Sequence, residues 1–178
     1  GKLLVIEGDA LNEHYAPKLE RPARIIANLP YNVGVPIIRS LIPWIPAKYF
    51  TLMLQKEVAQ KIVEGPGSLH HLINTYFKTS KLTVVSPGAF NPPTKVISWV
   101  ISLERLETPL LPMDELIAYE RFLRTLFHTP RKQIGTVLKA YPKNSLLEAL
   151  KQAGIEKNYR AEKLDLQQVM ALYTHLRS

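Results

Sequence analysis

The chain has 178 residues, enough for one full domain or for one domain plus a small appendage. At 46% hydrophobic and 21% charged it has the composition of a folded protein, and no apolar run approaches the roughly 18 residues needed to cross a bilayer. The absence of cysteine excludes disulfides and thiolate metal sites, which fits a reducing cytoplasm, and the net charge of +8 favours a partner rich in phosphate.

The surplus is spread evenly: residues 1–104 and 105–178 each carry +4. A basic, merely solvated surface is the alternative to a nucleic-acid partner, and charge alone leaves both open.

In chain order, "LLVIEGDAL" (3–11) reads as a buried strand stopping at a turn. "RIIAN" (24–28) is a second strand, and "VPIIRSLIPW" (35–44) has helix spacing, with Pro36 tolerated in a first turn and Pro43 as terminator. "YFTLMLQ" (49–55) predicts a third strand. It runs directly into "KEVAQKIVEG" (56–65), whose Val58, Ala59, Ile62 and Val63 form one helical stripe ended by Gly65. "KLTVVSPGAF" (81–90) and "KVISWVISLER" (95–105) are strand-like runs joined by "NPPT", close enough to pair antiparallel. The pattern predicts an α/β fold whose sheet is mainly parallel with an antiparallel hairpin at its C-terminal edge.

The proline-punctuated stretch 107–112 reads as a linker, which makes 1–106 the first domain. Beyond it, "ELIAYERFLRTLFH", "RKQIGTVLKAY", "NSLLEALKQAG" and "DLQQVMALYTHLR" are helix-periodic, with Asn144 and Asp165 as candidate N-caps. Residues 113–178 are expected to form a small all-helical domain.

The most informative stretch is Asn28-Leu29-Pro30-Tyr31, directly after an apolar strand. A tight turn with a packed Tyr is the structural explanation. The chemical one starts from the exocyclic amine of adenine, a poor nucleophile because its lone pair is delocalised into the ring. Two acceptors aimed at its N–H bonds favour the rehybridisation that attack on a methyl group requires. The Asn28 amide oxygen and a Leu29 carbonyl fixed by Pro30 supply that pair, and Tyr31 offers a face for a base swung out of its stack. No general base is needed, since the protonated product can lose its proton to water.

"NLPYN" after a strand resembles the adenine-N6 methyltransferase motif. Together with "IEGDAL", "FTLMLQKEVAQKIV" (50–63), "SPGAFNPPTKV" (86–96) and "LFHTPRKQI" (126–134) it resembles the bacterial small-subunit ribosomal RNA adenine N6,N6-dimethyltransferases, the kasugamycin-resistance enzymes. The resemblance runs over nearly the whole chain. It implies a Rossmann-like class I methyltransferase sheet, incomplete here, followed by a helical domain that contacts RNA. It also implies that S-adenosyl-L-methionine is the methyl donor, with no metal, and that the target is 16S ribosomal RNA in the assembling small subunit. By position, Asp9 is expected to bind the donor's adenine, and Asn28 to sit where donor and target meet. Leu29 and Pro30 shape the amine-binding carbonyl, Tyr31 and Phe90 stack on the target base, and Lys95, Arg131 and Lys132 contact phosphates. The protein is expected to be a cytoplasmic monomer with no membrane association.

Alternatives are a large-subunit or DNA adenine-N6 methyltransferase, or a non-catalytic RNA-binding assembly or transcription factor on the same fold. Departures from the family pattern are Ile97-Ser98-Trp99, where Asp-Ser-Ala is usual, and a shortened "GPGSLHH" (65–71) without a Tyr-Gly pair. His70 and His71 fall at a helix start and lack a third metal ligand in view. No glycine-rich loop follows a strand; Gly65-Pro66-Gly67 follows a helix. The expectation is therefore that a further N-terminal segment exists, and that these 178 residues alone bind the donor poorly and are inactive.

Overall fold

The computed structural model describes residues 7–11, 23–43 and 46–177. Of the expected first strand only residues 7–11 are described, as a bend and turn, and the rest of it lies outside the described residues. The elements in order are β1 (Ala23–Asn28), α1 (Gly34–Leu41), β2 (Ala47–Gln55), α2 (Lys56–Val63), α3 (Ser68–Tyr76), β3 (Phe77–Val85) and β4 (Ser98–Arg105). After them come α4 (Leu116–Phe127), α5 (Ile134–Val137), α6 (Lys143–Gln152) and α7 (Leu166–Leu176). No described helix is long and apolar enough to cross a membrane.

The strands form one sheet in the order β1-β2-β4-β3, with β1 and β2 parallel and β2 and β4 antiparallel. The α/β reading with an antiparallel C-terminal portion therefore stands. Its edges shift: β3 starts at Phe77, where the backbone turns extended straight out of α3, and it ends at Val85 because Pro87–Ala89 is a 3-10 turn. β4 starts at Ser98, so the link is a twelve-residue loop (86–97) instead of the short "NPPT".

The described residues divide into two compact units. Those up to Ala59, with Ser80–Arg105, form the first; Gln60–Thr79 and the residues from Leu106 onward form the second. In the first, the registers Phe50↔Leu103, Leu52↔Ile101 and Leu54↔Trp99 place six buried apolar side chains on one face of the sheet. The N-terminus of α1 comes close to that face. A Cβ on Gly34 would stand 3.1 Å from Leu54 Cδ2, and this approach is what the glycine permits. Arg105, half-buried, closes the same unit by donating to the carbonyls of Leu41, Ile42 and Ala47 at 3.4, 2.9 and 2.9 Å. It thereby satisfies the Leu41 and Ile42 carbonyls at the end of α1 and ties them to the first residue of β2.

In the second unit α3 packs against α4 and α7, and α6 against α7. The helical stripes read from sequence are buried: Tyr119, Phe122, Leu123 and Leu126 on α4, Leu146, Ala149 and Leu150 on α6, Val169, Leu172, Tyr173 and Leu176 on α7. Asp165 caps α7 through a capping box with Gln168. Asn144 does not cap α6. Pro142, already extended, holds that place and its carbonyl accepts from Leu146, leaving Asn144 inside the first turn. Within 131–141 only Ile134–Val137 is helical, consistent with the weak propensity of Gly135-Thr136-Val137 and the stop at Pro142.

Candidate active site

β1 and β2 end side by side at Asn28 and Gln55, and β4 begins opposite Gln55 at Ser98. Because Asn28 pairs with Met53, Gln55 lies two residues on and Ser98 pairs with Gln55, the side chains of Asn28 and Ser98 share one face of the sheet. This is the carboxyl end of the parallel strands, where open α/β sheets bind ligands.

The turn beyond Asn28 is held from several sides. Leu29 buries its side chain and donates its N–H to the Met53 carbonyl at 3.1 Å, extending the ladder by one residue. Pro30 has no N–H to continue it. Its own carbonyl accepts from Val33 at 3.3 Å as the chain enters α1. What this arrangement leaves over is the Asn28 side-chain amide, exposed at the strand tip, and the Leu29 carbonyl oxygen; neither has a hydrogen bond among the described residues. Tyr31 is 37% exposed, and its hydroxyl pairs with the Ser98 hydroxyl at 2.9 Å. Ser98 is fully buried, so its rotamer is confined and the phenol has a fixed anchor.

Ser98 was not among the expected site residues. Its only signal in the sequence was a serine opening an otherwise apolar strand. Its partner lies 67 positions away, which no local pattern reveals.

Phe90 is half-buried in the loop that enters β4 at Ser98, just after the 3-10 turn. The loop is closed on itself by Ala89 N–H to Ser86 O at 3.1 Å and Thr94 N–H to Pro87 O at 3.2 Å. Phe90 thus belongs to the loop that delivers Ser98, but no ring contact joins it to Tyr31 among the described residues. Lys95, in the same loop, is exposed. Asp9 is exposed, and one of its carboxylate oxygens accepts from the Leu11 N–H at 2.9 Å; no bond links it to Asn28–Tyr31. Arg131 and Lys132, in the second unit, are exposed in the turn after α4.

The departures from the family pattern have structural roles. Ile97 is exposed, and its carbonyl accepts from the Lys56 N–H at 2.9 Å at the start of α2. Trp99 is buried opposite Leu54, with the Lys81 ammonium 4.2 Å from its ring centroid. His70 donates through Nδ1 to the Ile62 carbonyl at 2.9 Å, tying α3 to the end of α2. His71 is buried and stacked on Phe127 at 5.1 Å, with neither ring nitrogen bonded. Burial lowers its pKa to about 4, helped by the neighbouring His70 and opposed by Asp165.

With this geometry in view, the profile of the family described as "Ribosomal RNA adenine dimethylase" matches residues 1–178. The chain belongs to that family. It is 36% identical over 184 residues to ribosomal RNA small subunit methyltransferase A of Cereibacter sphaeroides (strain ATCC 17029 / ATH 2.4.9), with 99% of this chain and 66% of the relative covered. The protein of the same name from Sinorhizobium fredii is 38% identical over 181 residues, covering 97% and 60%. The chain thus spans less than two thirds of the length of these relatives. A dimethyladenosine transferase from Plasmodium falciparum superposes with a TM-score of 0.77 at 25% identity, over 97% of this chain and 71% of that one. The 23S rRNA methyltransferase ErmE gives 0.74 at 23%, with the same coverage, a likeness of fold. The dimethylase-family fold, a class I Rossmann-like sheet with a C-terminal helical part, is therefore that of this chain.

For a family that uses S-adenosylmethionine, the described residues fit part of the donor. The free oxygen of the Asp9 carboxylate is a suitable acceptor for an adenine amine, and Asn28 stands exposed at the strand tip. Among the described residues no glycine-rich loop follows a strand to receive the donor's amino-acid end; Gly65-Pro66-Gly67 links α2 to α3.

Proposed function

We propose that the protein transfers methyl groups from S-adenosylmethionine to N6 of two adjacent adenosines near the 3′ end of 16S ribosomal RNA, during assembly of the small subunit. The observation that carries this reading is the pair of unpaired acceptors, the Asn28 amide oxygen and the Leu29 carbonyl, at the carboxyl end of the parallel strands. That the relatives are ribosomal RNA small subunit methyltransferases supports the ribosomal substrate.

When bound, the donor supplies a methyl made electrophilic by its sulfonium. Everything else falls to the chain. Asn28 and Leu29 accept from the two N–H bonds of the target amine and draw its lone pair out of conjugation, a stabilisation that grows as positive charge develops on nitrogen. Pro30 keeps the Leu29 carbonyl from swinging away. Tyr31, steered by Ser98, stacks on the extruded base, and Phe90 offers the second ring; each stack contributes about 1–3 kcal/mol. Asp9 would hold the donor's adenine. The proton leaves to water, so no titratable group is required at the reacting atoms. Lys95, Arg131 and Lys132 would neutralise phosphates. The protein acts as a monomer in the cytoplasm, with residues 1–106 as the methyltransferase part, 107–112 as linker and 113–178 contacting RNA.

The test is methyl incorporation by the intact protein into naked 16S RNA, immature small subunits, 23S RNA and duplex DNA, with the modified positions mapped. Label confined to two neighbouring adenosines of small-subunit RNA is expected. Incorporation into 23S RNA or DNA alone would establish the other enzyme reading. RNA binding without any incorporation would leave the assembly-factor reading.

A further inference from the structure

The two oxygens at the tip of β1 accept from an exocyclic amine, but they do not choose the base that carries it. Cytosine also has a conjugated exocyclic amine, and two acceptors would draw on its N–H bonds in the same way. What separates the bases is the ring atom on each side. The amine of adenine stands between two ring acceptors, N1 and N7, whereas that of cytosine has an acceptor on one side and a C–H on the other. A site that selects adenine gains from a donor placed beside the two oxygens.

The sheet register places such a donor. Gln55 is the last residue of β2 and pairs with Ser98, the first of β4. Asn28 pairs with Met53, two residues before Gln55, so Asn28, Gln55 and Ser98 project from the same face. Strand spacing and rise put the Cα atoms of Gln55 and Asn28 about 8 Å apart, with Gln55 about 5 Å from Ser98. The Leu29 N–H on the Met53 carbonyl sets Leu29 level with Leu54, so its free carbonyl lies beside the end of β2. Tyr31 completes the outline, its hydroxyl 2.9 Å from that of Ser98. Gln55 therefore stands between the amine-binding oxygens and the anchor of the stacking ring. Its side-chain amide is not spent on structure: Gln55 is half-buried, and the amide has no hydrogen bond among the described residues. Gln55 directly precedes α2, a place where Ser, Thr, Asp and Asn serve best, and no side-chain bond runs from it to the first turn. The amide keeps two N–H donors to offer to a ligand.

We infer that Gln55 reads the base at the methyl-transfer site: one of its side-chain N–H bonds donates to N7 of the target adenine, on the edge that carries N6. Asn28 and Leu29 then activate the amine, and Gln55 selects the ring behind it and fixes how that ring lies under Tyr31. A glutamine amide suits that edge of adenine. The inference rests on the adenine-N6 reading above and adds to it the choice of base.

The experiment is single-turnover methyl transfer by the intact protein to 16S RNA, unmodified or with 7-deazaadenosine at the mapped target positions, where a C–H replaces N7. Gln55→Met keeps the length of the side chain and removes the donor. It is expected to slow transfer to unmodified RNA roughly 2- to 12-fold, with RNA affinity unchanged because phosphate contacts dominate that affinity. Gln55→Glu, which sets a carboxylate against the N7 lone pair, is expected to be slower still. On 7-deaza RNA the wild type should lose that same factor beyond any loss shown by Gln55→Met, so that the two rates converge. Unaltered circular dichroism and melting temperature mark a folded variant, and the wild-type loss on 7-deaza RNA is read without any variant. Equal sensitivity of both proteins to the 7-deaza substitution would overturn the assignment. So would a wild type indifferent to it, a Gln55→Met rate equal to wild type, or a rate that falls only in step with RNA affinity. A wild-type protein that methylates no adenosine of unmodified RNA would refute the activity reading itself. Wild-type transfer without convergence of the two rates refutes the role of Gln55 alone.

Discussion

Tyr31 and Ser98 join the motif turn to the start of β4, and their hydroxyl pair makes a sharp demand. Ser98→Ala and Tyr31→Phe remove the same bond from opposite ends. Each should slow single-turnover methyl transfer by roughly 2- to 12-fold, the rate equivalent of about 0.5–1.5 kcal/mol, and the double variant should be no slower than either single. Multiplying effects would mean that the hydroxyls act separately. His71 offers a second test at this scale. Its folded pKa of about 4 lies below the ordinary 6.5, so the unfolded chain takes up a proton first as the solution is acidified. Stability carries no such penalty above pH 6.5 and declines between pH 6.5 and 4, by an amount on the order of 3 kcal/mol from this residue. Denaturant titrations of His71→Phe, which keeps the stack on Phe127, should show a flatter decline across that window.

At the scale of elements, what could be read in advance depended on whether a segment's partners are local. β1, α1, β2 and α2 were legible because their apolar periodicity and their proline and glycine stops lie within them. The Asp165 cap was legible because a capping box spans four residues. Asn144 looked like an equally good cap, but Pro142 was already extended two residues earlier and took the position. Residues 131–141 looked helical, yet their N-terminal backbone is drawn into a bridge with residue 160. Arg105 could not have been singled out: nothing in "ISLERLE" announces that its guanidinium returns to three carbonyls of 41–47. Arg105→Met, which keeps the stem and removes the donors, should destabilise the protein by about 2–4 kcal/mol in urea unfolding. Asp165→Ala should cost only about 1 kcal/mol.

For the molecule as a whole, the family and the class of fold were legible because several motifs occur in a fixed order, which chance does not supply. That β1 stops at Asn28 was legible because Pro30 lies within the same short stretch and lacks an N–H, although Leu29 is also held by the Met53 carbonyl of β2. The anchoring of Tyr31 was not, since it needs β4 folded alongside β2. The central claim is that the Asn28 amide and the Leu29 carbonyl together activate an adenine amine. Its most direct test is the single-turnover rate of methyl transfer to 16S RNA by the intact protein with Asn28→Ala, alongside the affinity for that RNA. The account predicts a loss on the order of 10²–10³-fold in rate with affinity within a few-fold of wild type. An unchanged rate, or a rate that falls only in step with RNA affinity, would contradict it.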